Sequence, residues 1–305
     1  MEKTLIVLLG PTGIGKTSTS IKVAQHFNTE IISSDSRQVF KELSIGTAVP
    51  SPEELNSCKH HFIQTKTIHD KHNASIFETE SLILLDRLFR KKNIVLMVGG
   101  SMLYIDALCN GIDDLPSVDQ KIRDDLVKTF ESEGLDGLRI QLKTLDPTYY
   151  AEVDLKNPKR ILHALEITIM TGKPYSSFRT KKIKPRPFNI IKIGINTDRE
   201  LLYNRINQRV EEMMQVGLLE EAKTVFPFKG INSLHTVGYK ELFSYFNGEI
   251  SREEAVELIK KNTRNYARKQ LSWFRRDKSI TWFDINQSDK IINFLETKLY
   301  GNSFS

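Results

Sequence analysis

The chain has 305 residues, 39% hydrophobic and 27% charged, enough for about two soluble globular domains. The first clean apolar run, residues 5–9, is too short for a membrane span or a signal-peptide core, and two cysteines, Cys58 and Cys109, exclude a disulfide scaffold. The net charge of +6 is unevenly placed: 257–278 carries +6, 178–192 carries another +6, and the rest sums to −6, which predicts a polyanionic partner, no membrane and a reducing cytoplasm.

Residues 4–9 (TLIVLL) read as a strand buried on both faces, as in a parallel sheet. It runs into Gly10, Pro11, Thr12, Gly13, Ile14, Gly15, Lys16 and Thr17, which fit G-x4-G-K-[ST] and precede a helical stretch at 18–27. In that order, strand, glycine loop and helix make a nest of amides at a helix N-terminus that cradles phosphate. Lys16 would neutralise a diphosphate and the Thr17 hydroxyl would ligate Mg2+. Residues 30–34 read as the second strand, with Asp35 at its carboxyl end, where open parallel sheets bind their ligands. A carboxylate there can hold magnesium through water, take a proton from a nucleophile, or simply cap a turn. Cys58, His60, His61, His69 and His72 match no tetrahedral zinc spacing, and His60 and His61 are expected near the sheet mouth.

Residues 93–98 predict a third strand, ending in Gly99, Gly100 and Ser101. ATPases and many kinases place a metal-holding acid there. Two glycines and a hydroxyl weaken an ATPase reading and put Ser101 where a small donor could meet a substrate. From about 115 to 187 the pattern is helical alone. Asn157-Pro158 is a helix start and Gly172 followed by Pro174 a stop, with Lys159, Arg160 and His163 near the start. Residues 189–195 return to the sheet. The expected fold is therefore α/β: a P-loop NTPase-like parallel sheet flanked by helices, formed by 1–114 and 188–305, with an all-helical insertion domain at 115–187. In the last long helix, 252–276, Lys261, Arg264, Arg268 and Arg275 fall within about 60° of one another when wound at about 100° per residue. Lys269 and Arg276 flank them, and Ile259, Tyr266, Ala267, Trp273 and Phe274 lie opposite. No acid interrupts 258–276, and a cationic stripe about 25 Å long suits a nucleic-acid backbone.

Together, G-P-T-G-I-G-K-T at 10–17, D-S-R-Q-V-F at 35–40, I-G-T-A at 45–48, H-H-F-I from 60, G-G-S-M-L-Y at 99–104 and L-P-S from 115 resemble the tRNA dimethylallyltransferase family. The likeness continues in N-P-K-R-I-L-H-A-L-E from 157, R-I-N-Q-R-V from 205, V-G-Y-K-E-L from 237 and R-K-Q-L-S-W-F-R from 268, so it spans the chain in order. The resemblance implies transfer of a dimethylallyl group from dimethylallyl diphosphate to N6 of the adenosine immediately 3′ of the anticodon. It implies Asp35 as general base, with Lys16, Thr17 and its magnesium, the loop amides and Arg209 stabilising the leaving diphosphate, and Ser101 beside them. It implies that the tRNA anticodon stem-loop, with a base drawn out of the stack, runs past Asp35, Ser36, Arg37, Gln38 and Ser101. Arg123, then Lys159, Arg160, Ile161, Leu162 and His163, would line the path too. So would His235, Thr236, Val237, Gly238, Tyr239 and Lys240, and then Arg268, Lys269 and Arg275. The insertion would clasp the stem-loop.

Two positions depart from the family: Ser101 stands where threonine is common and keeps the hydroxyl, and Phe40 stands where tyrosine is common and loses one. Eukaryotic relatives often append a zinc finger that this sequence lacks, which suggests a bacterial-type enzyme, expected to be monomeric and cytoplasmic. Three other readings compete. A P-loop small-molecule kinase should be more compact, with an arginine-bearing lid. An adenylate isopentenyltransferase, which prenylates a free nucleotide, needs neither basic block. A non-enzymatic RNA-binding module has no use for the P-loop Lys16 and Thr17 beside Asp35.

Overall fold

A six-stranded, wholly parallel sheet in the order β3-β2-β4-β1-β5-β6 organises the larger of two units. The computed structural model describes residues 2–116, 119–180 and 182–301; Ser117 of the L-P-S stretch and Lys181 of the 178–192 block lie outside them. One unit comprises Met1–Asn110 and Arg186–Ser305, the other Gly111–Pro185.

In chain order the first unit begins with β1 (Thr4–Leu9), α1 (Lys16–His26), β2 (Ile31–Ser33), α2 (Pro52–Ser57), β3 (His60–His61), α3 (Ala74–Phe89), β4 (Ile94–Gly99) and α4 (Met102–Asn110). The second unit holds α5 (Gln120–Leu145), α6 (Pro147–Glu152), α7 (Pro158–Thr171) and α8 (Tyr175–Phe178). The first resumes with β5 (Asn189–Asn196), α9 (Arg199–Gln215), α10 (Leu218–Val225), α11 (Tyr239–Phe246), α12 (Arg252–Phe274), β6 (Thr281–Asp284) and α13 (Ser288–Tyr300).

All six residues of β1 are buried because β1 lies between β4 and β5 with helices on both faces. Leu5, Val7 and Leu9 pack with Phe77, Leu85 and Leu108 from α3 and α4. Ile6 and Leu8 point the other way, toward Val23, Leu202, Ile206 and Leu295 from α1, α9 and α13. Each such side chain contributes about 1.5–3 kcal/mol by burial. In register, Leu9 lies opposite both Gly99 and Gly194, so the loops after β1 and β4 open at one edge of the sheet. That edge is where the site forms.

The four apolar strands lie where the sequence places them. The two extra strands, β3 and β6, sit at the sheet edges and lack a buried apolar run: β3 is two histidines, held by pairing with Ile31 and Ile32. In the second unit Asn157 caps α7 through its side chain, Pro158 takes the first turn, and Gly172 ends the helix at φ 67°. Leu138, Leu142, Ile161, Ala164 and Leu165 form that unit's own core.

Candidate active site

The loop after β1 takes its shape from glycine. Gly13 and Gly15 adopt φ of 80° and 94°, conformations that L side chains resist, and α1 starts at Lys16. The Lys16 ammonium donates to the Gly10 and Pro11 carbonyls at 3.0 and 2.8 Å. Burial pushes its pKa down to about 8; Asp35 resists that shift and Arg209 adds to it. Pro11 has no N–H, and the Thr12 amide donates to Gln270 Oε1 at 2.8 Å. The loop amides left for a phosphate are therefore those from Gly13 on, and Ile14, whose side chain is wholly buried, offers only its backbone.

Beyond β2, Asp35 caps its own turn: Oδ1 accepts from the Arg37 and Gln38 amides at 2.8 and 3.2 Å. The Ser36 amide donates to Ser101 Oγ at 2.9 Å, which ties this turn to the end of β4. The Tyr266 hydroxyl also bonds Ser101, and burial pushes that phenol up to about 12. A side chain at 99 would collide with Ser34, and one at 100 with Gln270, whose amide donates to the Gly100 carbonyl at 2.8 Å. The glycine pair is thus a consequence of what packs against the strand end.

Two cavities open at this edge, both built by the first unit. The larger, about 560 Å³, is lined by Ser36, Arg37, Ser101, Tyr266 and Lys269 and by His235, Thr236, Val237, Gly238 and Lys240. The smaller, about 200 Å³, is lined by Gly15, Lys16, Thr17, Gln38, His60 and Arg205. Thr12, Gly13, Asp35, Thr47 and Arg209 line both. Asp35 therefore stands at the junction of a P-loop cavity and a roomier one. Burial lowers the pKa of the Arg209 guanidinium, while Asp35 and then Glu212 hold it charged.

In the smaller cavity the Thr17 hydroxyl and the Asp35 carboxylate supply oxygen donors. Such a set fits Mg2+, which takes one or two protein oxygens and completes its shell with substrate and water. Among the described residues no three His, Cys, Asp or Glu side chains gather as a metal cage. His61 is bonded to Glu30 at 2.7 Å, and His60 Nδ1 to the Cys58 carbonyl at 2.7 Å.

Two residues expected on the RNA path are core residues. Ile161 is fully buried in the second unit, because it shares the inward face of α7 with Ala164, Leu165 and Thr168 at helical spacing. Tyr239 is fully buried in the first, its hydroxyl bonded to Glu221 Oε1 at 2.7 Å. Leu162 packs against the second unit's core. Lys159 and Arg160 are exposed, and the half-exposed Arg123 gives its Nε to the buried Glu166 at 2.8 Å. On α12, Lys261, Arg268 and Lys269 are exposed, as is Arg275 at its end, while Arg264 bonds Asn207. The basic block at 178–192 is different from its sequence reading: Arg179, Lys184, Arg186 and Lys192 pair with Glu152, Asp114, Glu78 and Asp277. Arg186 and Lys192 are largely buried in their pairs, whereas Arg179 and Lys184 are partly exposed. Sequence reasoning gave no role to Gln270 or Glu221 and read Tyr266 as packing; Gln270 lay inside a motif and Tyr266 on a helix face, while nothing local marked Glu221.

A family model described as IPP transferase matches residues 38–277. The chain belongs to the IPP transferase family. It is 53% identical over 297 residues to "tRNA dimethylallyltransferase 1" of Bacteroides fragilis, covering 97% of this chain and 99% of that one. It is 51% identical to "tRNA dimethylallyltransferase" of Christiangramia forsetii, over 98% and 99% of the two chains. Among solved structures it is similar to the tRNA isopentenylpyrophosphate transferase of Bacillus halodurans, at 33% identity and a TM-score of 0.71, covering 98% and 97%. It also resembles a eukaryotic dimethylallyltransferase acting on tRNA, at 26% identity and a TM-score of 0.81, covering 97% of this chain and 79% of that one. Phe40, where the family commonly has tyrosine, is buried in an apolar cluster with Val39, Leu43 and Leu242.

Proposed function

We infer that this chain transfers the dimethylallyl group of dimethylallyl diphosphate to N6 of the tRNA adenosine immediately 3′ of the anticodon (position 37), releasing diphosphate. The observation that carries this reading is the meeting of two cavities at Asp35. One has a P-loop to hold a diphosphate, and the other has room for a base drawn out of a single-stranded loop. The adenine nitrogen bonds to the allylic carbon as the carbon–oxygen bond to diphosphate breaks, and Asp35 takes the proton from the amine. Lys16 and Arg209 face the charge that grows on the leaving group, and Ser101 is held in place by the Ser36 amide and Tyr266. Thr17 would hold Mg2+, which when bound neutralises part of the diphosphate charge. Lys240, Lys269, Arg268 and Arg275 from the first unit, and Arg123, Lys159, Arg160 and His163 from the second, would bind the anticodon stem-loop. A tRNA substrate and two free cysteines support a cytoplasmic location; among the described residues no helix is long and apolar enough to cross a membrane.

A transfer assay tests this. Protein, magnesium and labelled dimethylallyl diphosphate are offered unmodified tRNA or AMP, with ATP hydrolysis followed in parallel. Label is expected in tRNA alone, and Asp35→Ala should lower transfer by about 10²-fold or more with tRNA affinity little changed. Label in AMP alone, ATP turnover without label, or wild-type turnover by Asp35→Ala would overturn the assignment.

A further inference from the structure

Glu221, on α10, makes four hydrogen bonds with one carboxylate. Its Oε2 accepts from the Ser44 and Ile45 amides at 2.9 and 2.8 Å, and its Oε1 from the Gly46 amide at 2.9 Å and the Tyr239 hydroxyl at 2.7 Å. Three consecutive amides aimed at one point make an anion site, and here a side chain fills it. The stretch so held continues into Thr47 and Ala48, whose carbonyls accept from Gln38 Nε2 at 3.1 and 2.9 Å. The Gln38 amide is in turn one of the two that cap Asp35. Gly46 and Thr47 line the larger cavity, and Thr47 and Ala48 the smaller. This loop is a partition between them. A Cβ on Gly46 would lie 2.6 Å from the Tyr239 hydroxyl, so the phenol closes directly on the loop. Burial and the adjacent Glu221 keep that phenol protonated, and hence a donor.

We propose that Glu221 is a positioning residue for the transfer step: by holding 44–46 it fixes the partition where amine and allylic carbon meet and keeps water out of that passage. The proposal rests on the prenyl-transfer reading. With the partition loosened, water competes with the amine. The water oxygen bonds to the allylic carbon, the carbon–oxygen bond to diphosphate breaks, and one water proton passes to Asp35 or solvent. The products are dimethylallyl alcohol and diphosphate.

The test compares wild type, Glu221→Gln and Tyr239→Phe. Glutamine turns an NH2 toward donors, whereas phenylalanine removes a single hydroxyl. Three quantities are read: hydrogen exchange at the 44–46 amides, binding of tRNA and of donor, and the ratio of dimethylallyl alcohol to prenylated tRNA. Glu221→Gln should speed exchange at 44–46 and lower transfer by about tenfold or more, with tRNA Kd and donor KM within about twofold. The alcohol fraction should rise, and Tyr239→Phe should move each quantity the same way by less. Unchanged exchange, an unchanged alcohol fraction, or an activity loss that only follows lost tRNA binding would overturn it. A Tyr239→Phe protein equal to wild type beside an unfolded Glu221→Gln would do so too. Wild type that prenylates no tRNA would instead sink the prenyl-transfer reading, and the exchange rates would still decide whether Glu221 holds the loop.

Discussion

Lys16 sits where its charge is disfavoured, partly buried beneath the loop with Arg209 nearby, and Asp35 and two carbonyls support the ammonium. A diphosphate reverses that balance, because it brings negative charge to the same spot. Binding therefore favours the protonated form and raises the pKa from about 8. Below that value Lys16 already carries its proton, and binding takes up none. Above it, the proton must come from solvent, so affinity should fall as pH rises, by up to about tenfold per pH unit. Calorimetric titration with dimethylallyl diphosphate in two buffers of different ionisation enthalpy should show net proton uptake at pH above 8 and little well below it. Lys16→Arg, which stays charged, should abolish the uptake. No uptake by wild type on the alkaline side would show that the ammonium is not the diphosphate's partner.

At the scale of elements, two basic segments of equal net charge behave differently. Lys261, Arg268 and Lys269 on α12 and Arg275 at its end are exposed, on the side away from Ala267, Gln270 and Phe274, whereas Arg186 lies buried against Glu78 at 2.5 Å. Arg268→Ala with Arg275→Ala should reduce the salt slope of tRNA binding by roughly two contacts' worth, at about 0.7–0.9 per phosphate, with stability little changed. Arg186→Ala should leave that slope alone and destabilise the fold by about 3–5 kcal/mol, because it breaks a buried ion pair with Glu78 and removes the donor to the Ala107 and Leu108 carbonyls. Equal slopes in all three proteins would move the RNA path off α12. Net charge per segment was visible in the sequence, but whether a cation is paired depends on acids far along the chain. The same limit governs the rest of the site. Asp35 and Ser101 were legible because strand-end positions follow from apolar runs bounded by glycine. Tyr266, Gln270 and Glu221 were not, since their partners lie 165, 170 and about as many residues away and only folding brings them close. Ile161 and Tyr239 were misplaced for a local reason: a contiguous motif was taken as one surface, while helical periodicity sends some of its residues inward.

For the whole molecule, the point of interest is how the second unit is spliced into the first. The chain leaves the sheet unit after α4 and re-enters at Arg186, whose guanidinium donates to the Ala107 and Leu108 carbonyls at 2.7 and 2.8 Å. Exit and re-entry are thus fastened together by the sheet unit's own residues, and Glu78 on α3 anchors the same arginine. The two cavities, the P-loop and α12 also belong to that unit. Replacing 111–185 by a short Gly/Ser linker should therefore leave a protein that unfolds cooperatively and binds dimethylallyl diphosphate within about threefold of the full chain, since loop closure across adjacent ends adds little. Its affinity for tRNA should fall by about tenfold or more, with a shallower salt slope, because Arg123, Lys159 and Arg160 leave with the excised unit. A truncated protein that binds tRNA as the full chain does would remove the insertion from the RNA path. One that fails to fold would show that the clasp at Arg186 is not sufficient, and that the sheet unit draws stability from the helices it carries.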